Sequence, residues 1–214
     1  VAQGSAAYGR DDYGKDIGAR AGRRATALKW AAQALRGIRD QGCLHWQRLD
    51  AEQRLLDWAQ ATAAALSAAL QALPATVQRG LSFVDLERCE LHPRPTIEAI
   101  GWSPGRWRGL TRINLRCNPG LGAAGLTALA AALPPNLRTL DVTETGCDDA
   151  SMTALAAALP RTTLRAFGCG SNPALTATGW AALAAKLPLV PALRALEANG
   201  CTGMGDAGAS ALAE

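Results

Sequence analysis

The sequence predicts an α/β solenoid, with a short parallel sheet inside, helices outside and a helical cap at its N-terminal end. Three observations carry that expectation. Short β-like runs begin at Leu81, Leu110, Leu137, Leu164 and Leu193, spaced 29, 27, 27 and 29 residues apart. A fixed period in this range marks a stack of repeats. From Leu110 onward each run leads into a small-residue turn and an Ala/Leu-rich segment. The 214-residue chain is 49% hydrophobic yet 5% aromatic, so its core suits thin, regular layers of small side chains.

Residues 1–15 hold Gly, Ala, Tyr and charge without periodicity and read as an extended tail. Residues 16–80 read as a helical arm and an N-terminal capping repeat. Ala27, Leu28, Ala31, Leu35 and Ile38 recur every three or four residues opposite Arg and Lys, which predicts a helix over 16–40 closed by Gly42. A second helix is predicted over 50–73. Asp50 is its N-cap, Gln53 takes the capping-box position, and Leu55, Trp58, Thr62, Leu66, Ala69 and Leu73 form its apolar stripe. It ends at Leu73-Pro74, as later segments end at Leu133-Pro134, Leu159-Pro160 and Leu187-Pro188. That shared ending marks it as the helix of a cap, which a stack needs because its end exposes an apolar face.

Residues 81–214 hold the repeats. With each first leucine counted as offset 0, offsets 3 and 5 are Val84 and Leu86, Ile113 and Leu115, Leu140 and Val142, Phe167 and Cys169, Leu196 and Ala198. Offset 8 is Cys89, Asn118, Thr145, Asn172 and Cys201. Helical segments follow with Leu126, Leu129 and Leu133, then Met152, Leu155 and Leu159, then Trp180, Leu183 and Leu187. This grid resembles the leucine-rich repeat superfamily, in its ribonuclease-inhibitor-like type. The residues match the LxxLxLxx(N/C)xL core strongly over 81–214, and 50–80 fit as a cap. The resemblance implies that the offset-8 side chain satisfies buried backbone groups where the chain leaves the strand, with Thr145 a partial substitute.

Two departures stand out. The repeat from Leu81 carries Pro93, Pro95, Pro104 and three glycines where a helix should run, which predicts an irregular convex side containing Trp102 and Trp107. The last repeat reads as truncated at Ala213-Glu214 without a polar cap, so a neighbour or further chain is expected to cover it.

The net charge of +4 resides entirely in residues 1–40, where eight bases face four acids. No stretch is apolar for the ~20 residues that a membrane-spanning helix needs. The six cysteines form no CxxC pair and fit no zinc spacing. They read as reduced, mostly buried side chains in an intracellular compartment, an organelle such as a chloroplast or mitochondrion included.

Solenoids present extended surfaces to partners, and three candidate surfaces emerge. Offsets 2, 4 and 6 alternate onto the concave face. There Phe83, Asp85, Glu87, Arg112, Asn114, Arg116, Asp141 and Glu197 offer charge, followed by the small residues of the repeat at Leu164. The irregular segment offers Arg94, Trp102, Arg106, Trp107 and Arg108, residue types enriched at binding hot spots. The basic arm offers Arg20, Arg23, Arg24, Lys29, Trp30 and Arg36 for docking onto another subunit. Offset 1 adds a column, Arg138, Arg165 and Arg194, expected as a solvated edge paired with Asp141 and Glu197. An ordinary solvated face and gap-filling Trp rings are the plainer readings of these features.

Chemistry has little support. His45 and His92 are the two histidines, and Cys43 with His45, or Cys89 with His92, falls short of a metal site. No catalytic residue and no cofactor is expected. The predicted function is a non-catalytic protein–protein interaction module, a scaffold or accessory subunit with other protein subunits as partners. Peripheral membrane association is expected only through such a complex. The alternatives are a ligand-recognition domain of a larger effector or sensor, and a nucleic-acid-associated protein acting through the basic arm.

Overall fold

A computed structural model of the chain describes residues 43–45, 81–88 and 109–213. Six strands form one parallel sheet in sequential order: β1 Cys43–His45, β2 Phe83–Asp85, β3 Arg112–Asn114, β4 Thr139–Asp141, β5 Ala166–Gly168 and β6 Ala195–Glu197. Four helices lie on one side of it: α1 Gly122–Ala131, α2 Asp149–Ala158, α3 Ala177–Ala184 and α4 Gly205–Ala213. Each helix packs beside the next. The expected α/β solenoid is therefore what the chain forms over these residues. The tail, the helices predicted over 16–40 and 50–73, and the irregular segment at 92–108 lie outside the described residues.

One strand was not expected. β1 lies inside the predicted helical arm and pairs Cys43, Leu44 and His45 with Phe83, Val84 and Asp85. Two sequence positions before Cys43 is Gln41 rather than a leucine, and 40 residues rather than 27–29 separate Cys43 from Phe83. Parallel pairing needs backbone groups in register, not a leucine, so the leucine grid passes over it.

The core is the layer between sheet and helices. Offsets 0, 3 and 5 from Leu81 to Cys169 are all buried. They meet Leu126 and Leu129 of α1, Met152 and Leu155 of α2, and Trp180 and Leu183 of α3. Each such side chain contributes about 1.5–3 kcal/mol by leaving water. In the last repeat Leu193, Leu196 and Ala198 are only partly buried. Its helix α4 nevertheless runs nine residues, similar in length to its neighbours.

The turn out of each strand has a common form. At offset 7, Arg88, Cys117, Glu144, Ser171 and Gly200 all take positive φ, from 52° to 71°. The left-handed residue turns the chain from sheet to helix layer while its N–H keeps the ladder going: Cys117 donates to Thr143 O and Glu144 to Gly170 O, both at 3.0 Å.

Offset 8 then secures that turn from within. Asn172 Nδ2 donates to the carbonyls of Cys169, Gly170 and, in the preceding repeat, Val142, each at 3.0 Å. Its Oδ1 accepts from the N–H groups of Thr145 and Cys147 at 3.1 and 3.0 Å. Asn118 likewise donates to Leu115 O, Arg116 O and Leu86 O. Thr145 makes one such bond, to Val142 O at 2.6 Å, which fits the partial substitution expected of it.

Candidate interaction site

The strands are short and parallel, so alternate residues of each repeat form columns across the face turned away from the helices. The offset-4 column runs Asp85, Asn114, Asp141, Gly168 and Glu197 in direct register. Asn114 Nδ2 donates to Asp85 Oδ1 at 3.0 Å and to Glu87 Oε2 at 3.3 Å, tying two repeats together. The same side-chain position also takes the backbone N–H two residues on. Glu87 N donates to Asp85 Oδ1 at 3.2 Å, Arg116 N to Asn114 Oδ1 at 3.1 Å, and Thr143 N to Asp141 Oδ1 at 2.9 Å. These bonds hold Asp85, Asn114 and Asp141 in fixed orientations.

Charge is distributed unevenly over this face. Asp85 is buried, Glu87, Asn114 and Asp141 are half-buried, and Arg112, Arg116 and Glu197 are exposed. Phe83 is half-buried at the head of β2. The Arg116 guanidinium is held above its usual value, first by the neighbouring Cys117 and then by Asp141 and Glu87. The fold thus groups Asp85, Glu87, Asn114, Arg116 and Asp141; Phe83 and Arg112 head the neighbouring strands β2 and β3, and Glu197 lies two strands beyond Asp141.

The small residues at the repeat of Leu164 have a packing role. A Cβ at Gly170 would lie 2.5 Å from Asn199 O of the next repeat, and one at Gly168 would lie 2.9 Å from Asp141 Oδ1. Close approach of the chain's own backbone and side chains explains both glycines.

The expected pairing of the arginine column with Asp141 and Glu197 is not formed. The arginines stand at offset 1, just ahead of each strand, and the acids at offset 4, its last residue, so three residues of extended chain, roughly 10 Å, separate them. Among the described residues the ion pair within 4.0 Å is Arg88 with Glu87, at 3.9 Å. Arg194 instead donates through Nη1 to Pro191 O and Leu193 O, at 2.8 and 2.9 Å.

The remaining candidates, Arg94, Trp102, Arg106, Trp107 and Arg108 of the irregular segment and Arg20, Arg23, Arg24, Lys29, Trp30 and Arg36 of the basic arm, lie outside the described residues. No group of three or more His, Cys, Asp or Glu side chains could hold a metal ion among the described residues. None of the described helices is long and apolar enough to cross a membrane. Cys117, Cys147, Cys169 and Cys201 are free thiols, the middle two buried.

Sequence reasoning passed over Asp149, which joins consecutive repeats. The signal was present as Asp148-Asp149-Ala150-Ser151. Asp148 caps α2 through a box with Ser151, which leaves Asp149 one residue on to serve the next helix instead.

A family model described as Leucine Rich repeat matches residues 110–130, the span from the first leucine of β3's repeat into the last turn of α1. No curated protein matches the chain.

Proposed function

We propose that this chain, whose residues 110–130 match a leucine-rich repeat, is a non-catalytic protein–protein interaction module, acting as a scaffold or accessory subunit of a larger assembly. Stacked repeats serve mainly as binding surfaces, and the concave face is the reading's contact surface. The observation that carries it is the bonded network of Asp85, Glu87 and Asn114 beside the exposed Arg112 and Arg116. Polar groups already held in place cost little to order when a partner binds. The 27-to-29-residue period and the Asn/Cys alternation at offset 8 favour the ribonuclease-inhibitor-like type. The free, buried thiols of Cys147 and Cys169 suit a reducing compartment.

Size-exclusion of a native extract tests the proposal, with the chain followed by antibody. Elution within a larger complex is expected, and Arg112→Glu/Arg116→Glu should release the chain from it. Elution of the unaltered protein as a free monomer would sink the subunit reading.

A further inference from the structure

Charge is sorted across the stack. Within residues 131–213 the bases are Arg138, Arg161, Arg165, Lys186 and Arg194, and each lies between the end of a helix and the start of the next strand. Every acid of that stretch lies at the last residue of a strand or beyond it, up to the first turn of the next helix. Over residues 131–213 one rim of the solenoid is therefore purely basic. Parallel helices all turn their partly negative C-terminal ends to this rim, which accounts for the sign of the charge there. It does not account for two further features.

The first is the ladder of Arg138, Arg165 and Arg194. The N–H of Arg165 donates to Arg138 O at 2.7 Å and that of Arg194 to Arg165 O at 2.8 Å, so the three stand side by side on adjacent strands. Neighbouring strands lie about 4.8 Å apart. All three side chains are exposed, and none pairs with a carboxylate among the described residues. The second is Leu189, 57% exposed and the one exposed large hydrophobic side chain among the described residues. It sits on the turn Leu187–Leu189, between Lys186 and Arg194, on this same rim.

We propose that the basic rim docks an acidic amphipathic helix of a partner protein. Carboxylates three or four residues apart on a helix are about 5–6 Å apart at Cβ, close to the ladder's spacing. Alternate residues of an extended peptide lie about 6.6 Å apart and match it less well. Arginine's planar fork takes a carboxylate through two N–H groups, and Arg194 is already oriented by its backbone bonds. Leu189 supplies the apolar contact that a protein segment can use and a phosphate chain cannot. Nucleic acid fits poorly for a second reason. Base stacking needs accessible aromatic rings, and Phe167 and Trp180, the aromatic residues of these repeats, are buried. The proposal goes beyond the concave-face reading and does not depend on it.

The test is a fluorescence-anisotropy titration of the full chain with a labelled synthetic helical peptide. The peptide carries Glu at i, i+4 and i+7 beside a leucine stripe. Its comparators are a scrambled peptide of the same composition and a single-stranded oligonucleotide. Saturable binding to the designed peptide is expected. Arg138→Gln/Arg165→Gln/Arg194→Gln should weaken it about 10-fold or more, since each exposed ion pair contributes up to ~1 kcal/mol. Leu189→Ser should weaken it about 5-fold by removing apolar contact, and Arg112→Glu/Arg116→Glu should leave it unchanged. Circular dichroism melting confirms that each variant is folded. The proposal is overturned if the unaltered chain does not bind the designed peptide, if the triple variant binds within about twofold of it, or if the scrambled peptide or oligonucleotide binds as tightly.

Discussion

The carboxylate of Asp149, in the first turn of α2, accepts the hydroxyl of Thr176 at 2.6 Å and its backbone N–H at 2.8 Å, one repeat further on. It also accepts from Gly179 N at 3.0 Å, so a side chain of one repeat caps the helix α3 of the next. Burial pushes this carboxyl up, but the bonds from Thr176 and Gly179 outweigh it and hold it below its ordinary value of 3.8. A group depressed in the folded state stabilises the fold above its unfolded value and loses that effect as pH falls through the folded one. Thermal stability should therefore weaken as pH drops below about 4, and Asp149→Asn should flatten that acid limb. At pH 7, Asp149→Ala should cost about 1–2 kcal/mol through the lost cap. Superimposable acid-denaturation curves for Asp149→Asn and the unaltered chain would rule this role out.

Asn172 and Thr145 occupy equivalent positions and should not be equally important. Asn172 makes five buried bonds, two of them accepted from the N–H groups of Thr145 and Cys147 in the preceding repeat. Its replacement by Ala should cost about 2–4 kcal/mol, as a set of buried polar groups loses its partner. Thr145→Ala removes a single bond from Val142 O and should cost about 1 kcal/mol. Urea denaturation at neutral pH measures both, and equal losses would contradict the account.

Adjacent residues should respond to opposite changes at the turn after β5. Ser171 is held at φ 52°, where a Cβ is strained, so Ser171→Gly should stabilise by about 1 kcal/mol. Gly170 has Asn199 O in the place a Cβ would take, so Gly170→Ala should destabilise by about 1–3 kcal/mol. Paired melting curves decide it: the claim fails if both variants shift in the same direction.

The thiols should separate by position. Burial lifts Cys147 to about 11 and drives Cys169 upward as well, and a protonated, enclosed thiol is a poor nucleophile. Cys117 is only half-buried. Alkylation of the folded chain at pH 8, read by peptide mapping, should label Cys117 and spare Cys147 and Cys169 until denaturant is added. Labelling of Cys147 as fast as Cys117 in the folded state is the contrary outcome.

The leucine grid made much of this fold legible in advance, because burial is written locally. Leu110, Ile113 and Leu115 lie on the core side of a strand for reasons of alternation that no distant contact changes. The concave-face residues were legible for the same reason, since their direction follows from that of the leucines between them. The pairing assumed for Arg138 and Asp141 failed because closeness in sequence was read as closeness in space.

The amino-acid sequence by itself determined the repeat period, the core positions of the strands and helices, and the amides that brace the turns at Asn118 and Asn172. These depend on side-chain chemistry repeating at fixed offsets. Tertiary structure alone decided that Cys43–His45 joins the sheet, that Asp149 caps a helix 27 residues away and that five bases gather on one rim. Backbone pairing is blind to side-chain type, and charges far apart in the chain become neighbours only when parallel units stack in register.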